Sequence, residues 1–69
     1  MEILATRMRE LRKEAGLSQA DAAKALGIAM PTYVRYEYNQ REPMAPTILA
    51  LAELYHVSID YLFGLKDER

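Results

Sequence analysis

The sequence contains no cysteine and only one histidine. The first absence excludes disulfides and thiolate metal sites, and a lone histidine excludes a histidine-rich metal cluster. No apolar run approaches the roughly 20 residues of a membrane-spanning helix. Glu2 follows Met1, and no signal-peptide pattern comes after it. These absences predict a soluble, cytoplasmic protein with no cofactor, no metal and no membrane partner. An excess of positive charge is also missing: nine Lys and Arg against ten Asp and Glu leave a net charge of −1. That balance disfavours a strongly basic nucleic-acid binder. It leaves DNA binding open, because the distribution of charge matters more than its sum. There is no glycine-rich phosphate loop, and His56 has no visible base, ligand or orienting partner, which argues against an enzyme. Repeats, low-complexity segments and linkers are absent as well.

What is present is a short chain, 69 residues of which 51% are hydrophobic. This is enough for one domain with a small core, spanning 1–69 and only marginally stable without a partner. The pattern predicts an all-α protein of five helices. The first runs from about Ile3 to Ala15, with Leu4, Met8, Leu11 and Ala15 on one face. Gly16 stops it. Ser18 caps a second helix from about Gln19 to Leu26, with Asp21 in the first turn and Ala22, Ala23 and Leu26 inward. Gly27 ends that helix and Ile28 drops into the core. A third helix runs from about Ala29 to Tyr38, with Pro31 in its first turn and Asn39 as a left-handed stop. Pro43 braces a loop, and Pro46 opens a fourth helix reaching Tyr55 and ended by His56. Ser58 caps a short fifth helix from Ile59 to Phe63, closed by Gly64. Lys66 to Arg69 are expected to fray.

The most informative stretch is Gly16 to Glu42, two short helices joined by a tight turn at Gly27. A helix-turn-helix of this kind, here about 18–38, holds one helix as a bar while the other projects toward a DNA major groove.

An ordered set of residues runs through almost the whole chain: Leu11-Arg12, Gly16-Leu17-Ser18-Gln19, Ala23, Leu26-Gly27-Ile28, Arg35-Tyr36-Glu37, Arg41-Glu42-Pro43, Leu51-Ala52 and Val57-Ser58-Ile59-Asp60-Tyr61-Leu62. With this set the sequence resembles the lambda-repressor-like (Cro/CI-type, XRE) helix-turn-helix family. The resemblance implies a compact five-helix domain that binds double-stranded DNA, with helix 2 across the backbone and helix 3 as the recognition helix. It implies a transcriptional regulator, repressor-like, acting as a homodimer. The alternative is a protein-interaction module, such as a toxin–antitoxin component with a protein partner and weak DNA binding. The residues are compatible both with a whole small regulator and with the N-terminal piece of a longer one.

By that resemblance Gln19, at the start of helix 2, meets a phosphate. Met30, Pro31, Thr32 and Arg35 form the outward face of helix 3. Arg35 is suited to guanine O6 and N7 or to a phosphate, Thr32 to a base edge or a phosphate, and Met30 to a thymine methyl. Ala29-Met30-Pro31 stand where the family commonly has Ser followed by polar or basic residues, which shifts weight toward shape and phosphate contacts. The same apolar trio also suits a protein contact. Gln40 and Arg41 follow in the loop expected to approach the sugar-phosphate backbone, unless Arg41 is engaged by Glu42. Arg12 and Glu37 match the family's structural ion pair. Tyr33 either fills space left by the small Ala22 or faces DNA. Ile59, Phe63 and Leu65 are the candidate two-fold contact, the alternative being simple closure of the core; Tyr61 and Leu62 are expected inside it. One histidine, His56, reads as a helix-ending residue.

Overall fold

Five helices form, and local chemistry marks several of their boundaries. The computed structural model describes residues 1–69. Its elements are α1 (Glu2–Glu14), α2 (Gln19–Leu26), α3 (Met30–Glu37), α4 (Ala45–Tyr55) and α5 (Ile59–Leu62), with no strands.

In α1, Leu4, Met8 and Leu11 recur at helical spacing and are all buried. Ala15 does not continue that stripe. It is the C-cap and is exposed, because the helix closes there and the chain turns outward at Gly16. The Gly16 N–H bonds the Lys13 carbonyl and the Leu17 N–H bonds the Arg12 carbonyl, each at 3.1 Å. This is the paired closure that satisfies otherwise orphaned carbonyls.

Ser18 and Asp21 cap α2 reciprocally. The Ser18 hydroxyl accepts from the Asp21 N–H at 3.0 Å, and the Asp21 carboxylate accepts from the Ser18 N–H at 3.1 Å. Gly27 then takes φ +70°, a left-handed geometry that needs glycine if it is to cost little. Only Gly27, Ile28 and Ala29 separate α2 from α3. Ala29 stands at the α3 N-cap and offers no side-chain acceptor. Ala29 and Tyr38 are caps and not members of α3. Likewise Phe63 caps α5, and α4 begins one residue before Pro46. Proline is tolerated at that second position because the first N–H groups of a helix lack intrahelical partners.

The core joins all five helices: Leu4 and Met8 (α1), Ala22 (α2), Tyr33 (α3), Leu51 (α4) and Leu62 (α5) are each at most 1% exposed. Ala22 and Tyr33 lie in the same buried cluster, which excludes a Tyr33 facing DNA. Pro43 is buried in the loop before α4.

The C-terminal residues do not fray. The Arg7 guanidinium donates to the Tyr61 carbonyl, to the Lys66 carbonyl at 2.7 Å and to the Asp67 carboxylate at 2.9 Å. Arg69 pairs with both oxygens of Glu14 at 2.6 and 2.5 Å, and its carbonyl accepts from the Ser58 N–H at 2.9 Å. The Arg7 guanidinium stacks 4.0 Å from the centre of the Tyr61 ring. Side chains from α1 thus hold a segment that composition alone marks as free. Gly64 allows the fold-back: a Cβ there would lie 2.9 Å from Ile3 Cγ1.

Candidate nucleic-acid interface

Helix α3 divides cleanly into an inner and an outer side. Tyr33, Tyr36 and Glu37 are buried. At about 100° per residue, Pro31, Arg35 and Tyr38 fall within about 60° of one another on the opposite side. Pro31 and Arg35 are exposed, and Tyr38 is 61% exposed. Met30, 47% exposed, and the half-buried Thr32 flank that stripe on its two sides. Tyr38 was not among the residues anticipated for this face. The spacing 31, 35, 38 is the signal that finds it, once α3 is followed to its C-cap.

The inner side of α3 carries the polar centre of the domain. Glu37 is 1% exposed, yet no buried side-chain polar atom lacks a partner. Its carboxylate accepts from Arg12 Nε at 2.7 Å and from Arg12 Nη2 at 3.2 Å. It also accepts from Gln19 Nε2 at 3.3 Å. Arg12 Nη1 continues to the Leu17 carbonyl at 2.9 Å, and Arg9 donates to the Glu37 carbonyl at 3.0 Å. One carboxylate therefore ties α1 to α3 and holds the first side chain of α2. The hydrogen bond to Glu37 holds the Arg12 guanidinium charged beyond its already high pKa. Beside it, the Tyr33 and Tyr55 hydroxyls are 2.9 Å apart. Burial foremost, then Glu37 and Tyr55, pushes the Tyr33 phenol well above its ordinary pKa, so it stays neutral.

This arrangement changes what Gln19 has to offer. One amide hydrogen serves Glu37, leaving the other hydrogen and the carbonyl oxygen for an outside partner. Asp21 adds a carboxylate at the same helix start, with its pKa lowered chiefly by the Ser18 N–H.

The positive charge is also redistributed relative to its order in the sequence. Arg7, Arg9 and Arg12 of α1 are all engaged internally, which leaves Lys13 as the one α1 cation without a partner. The cations without a hydrogen bond or ion pair are Lys13, Lys24, Arg35 and Arg41. Arg41 is exposed and makes no pair with Glu42, whose carboxylate instead meets the Met1 amino group. Asn39, left-handed at φ +57°, accepts from that same amino group at 2.6 Å. Gln40 is exposed beside it.

At the far end, Ile59 is 39% and Leu65 75% exposed, whereas Phe63 packs against the core. Of the three candidate contact residues, Leu65 is mostly open, Ile59 is partly so and Phe63 is half-buried. His56 ends α4 at φ +56° and borders a hollow with Leu11, Glu14, Leu54, Tyr55 and Arg69, which no α3 residue lines. No three His, Cys, Asp or Glu side chains converge as a metal site would require. No helix is long and apolar enough to cross a membrane.

Comparison with known proteins gives a consistent picture. The helix-turn-helix family model matches residues 8–62. The chain is 45% identical over 65 residues to the HTH-type transcriptional regulator ImmR of Bacillus subtilis (strain 168), covering 94% of this chain and 50% of that protein. It is 33% identical over 57 residues to the cryptic phage CTXphi transcriptional repressor RstR of Vibrio cholerae, covering 83% and 51% respectively. The chain thus spans about half the length of these curated relatives. Its fold is similar to that of the P22 c2 repressor solved in complex with synthetic operator 9T, with a TM-score of 0.83 and 29% identity over 90% of this chain and 94% of that one.

Proposed function

Because this chain belongs to the helix-turn-helix family, in its lambda-repressor-like (XRE) branch, we propose that it binds double-stranded DNA sequence-specifically as a homodimeric, repressor-type regulator. The chain carries the DNA-binding helix-turn-helix of transcriptional regulators. One observation supports the proposal most, the solvent-facing stripe of α3 backed by an α2 whose first side chain is pinned by Glu37.

In this reading α3 enters the major groove. Arg35 reaches guanine O6 and N7, Thr32 a base edge or phosphate, and Met30 and Pro31 pack against thymine methyls. Gln19, Gln40 and Arg41 hold the phosphate backbone and set the register. Two chains related by a two-fold axis meet through Ile59 and Leu65, with Phe63 beneath them. Their α3 helices then lie about 34 Å apart, one turn of the duplex. Residues 18–38 act within a single domain spanning 1–69, non-enzymatic and working in the cytoplasm.

The second reading, a protein-interaction module with weak DNA binding, is favoured by one feature: the apolar start of α3, where Met30 and Pro31 are exposed and Ala29 offers no cap. Salt separates the two. Each phosphate neutralised by a cation contributes about −0.9 to the slope of log affinity against log salt. Duplex titrations that give a clearly negative slope support the first reading. Weak, salt-insensitive association with DNA supports the second.

A further inference from the structure

The five tyrosines do not share one environment. Tyr33, Tyr36 and Tyr61 are buried, and Tyr55 is half-buried with its hydroxyl on Tyr33. Tyr38 alone is mostly exposed, and its hydroxyl makes no hydrogen bond within the chain. We propose that Tyr38 is a further DNA-contacting residue, a neutral phosphate donor at the trailing end of the outward face of α3.

Three observations carry this inference, which rests on the DNA-binding reading. First, Tyr38 is in line with Pro31 and Arg35, directly opposite the buried side of α3. Second, its backbone is fixed: the Tyr38 N–H bonds the Val34 carbonyl at 3.0 Å, and the Gln40 N–H closes on the Arg35 carbonyl at 2.9 Å. The ring therefore leaves a pinned helix end, not a mobile loop. Third, it precedes the exposed pair Gln40 and Arg41, so it sits where the face passes from base edges to the backbone. Its position at the C-terminal end of α3, far from the end suited to entering the groove, points to the phosphates and not to the bases.

The charge distribution gives such a donor a purpose. Four of the nine cations are free of internal partners, and two of these, Arg35 and Arg41, belong to the α3 face and its loop. A phenol donates to a phosphate oxygen without adding charge, and its ring needs only two torsions fixed. It adds affinity on a face that has few cations.

This role has a signature that a cation would not have. Losing a neutral donor weakens binding without releasing fewer counterions, so the salt slope stays constant. The test uses the duplex that the wild-type chain selects from a random pool, together with a scrambled duplex of equal length. Affinities of the wild type, Tyr38→Phe and Arg41→Ala are measured by fluorescence anisotropy across a salt series. Tyr38→Phe is expected to weaken both duplexes by the same factor, about three- to tenfold for one lost hydrogen bond. Its slope and thermal midpoint are expected to match the wild type, while Arg41→Ala flattens the slope. Unchanged affinity of Tyr38→Phe, in a wild type that binds, overturns this inference alone. Loss confined to the selected duplex overturns it in favour of base contact. Failure of the wild type to select any duplex overturns the DNA-binding reading and this inference with it.

Discussion

The Glu37 carboxylate takes two hydrogen bonds from the Arg12 guanidinium across the α1–α3 contact, in a position almost closed to water. Breaking such a pair from one side leaves a charge without its partner in a poorly solvated site, at a cost of about 3–5 kcal/mol. Glu37→Ala is therefore expected to lower stability by that amount, read from the midpoint of urea denaturation. Arg12→Met combined with Glu37→Met, which removes both charges, is expected to recover most of the loss. An unchanged midpoint in Glu37→Ala contradicts the assignment of this pair as the joint between the helices.

Tyr33 tests the core in two steps. Its ring is fully buried in the cluster that includes Ala22 and Leu51. Tyr33→Ala is expected to cost about 3–5 kcal/mol through lost burial and the cavity it leaves. Tyr33→Phe keeps the ring and strands only the Tyr55 hydroxyl, at about 1 kcal/mol. Equal effects from the two substitutions, measured by thermal or urea unfolding, contradict a packing role for the ring.

Asp21 gives a pH dependence with a definite sign. Its pKa in the folded chain is lowered, first by the backbone N–H of Ser18 and then by the Ser18 side chain. A depressed carboxylate contributes stability that is present above its unfolded pKa and lost as pH falls through the folded one. Asp21→Ala is expected to be less stable than the wild type at neutral pH, with the difference closing in acid, as pH falls from the ordinary aspartate range through the lowered pKa of the folded chain. A difference that persists undiminished in acid contradicts the capping role.

The two free arginines of the proposed interface separate by what they read. Arg41→Ala is expected to weaken selected and scrambled duplexes alike and to flatten the salt slope by about 1. Arg35→Ala is expected to cost about 1–3 kcal/mol on the selected duplex and to relax discrimination at one base pair. Binding measured on point-substituted duplexes tells them apart. Identical patterns for the two variants contradict the division of roles.

Much of the fold is legible in the sequence because its punctuation is local. Gly16, Gly27 and Gly64 mark left-handed stops, Ser18 and Ser58 mark caps, and the apolar spacing of α1 marks its inner face. The error at Ala15 is of one residue, since periodicity does not see where a helix closes. The clasp of Arg7 and Arg69 is different in kind. Arg7 and Asp67 are 60 residues apart in the chain, and no local rule links them. The same holds for Arg9 and Arg12, whose shared partner Glu37 comes within reach only when α3 is folded against α1. Gln19 is intermediate: its position at the start of α2 is readable, but the grip of Glu37 on its amide appears only when α3 is folded against it.

Reading of DNA by a two-fold pair of chains through α3 is the proposal on which the function rests. It is tested most directly by selecting binding sites from a random duplex pool at near-physiological salt, using a sample shown to be folded. A two-fold pair is expected to enrich a two-fold symmetric site whose half-sites are centred about 34 Å apart, one turn of the duplex. A folded sample that enriches no sequence contradicts it, and directs attention to a protein partner for the exposed Met30 and Pro31 surface.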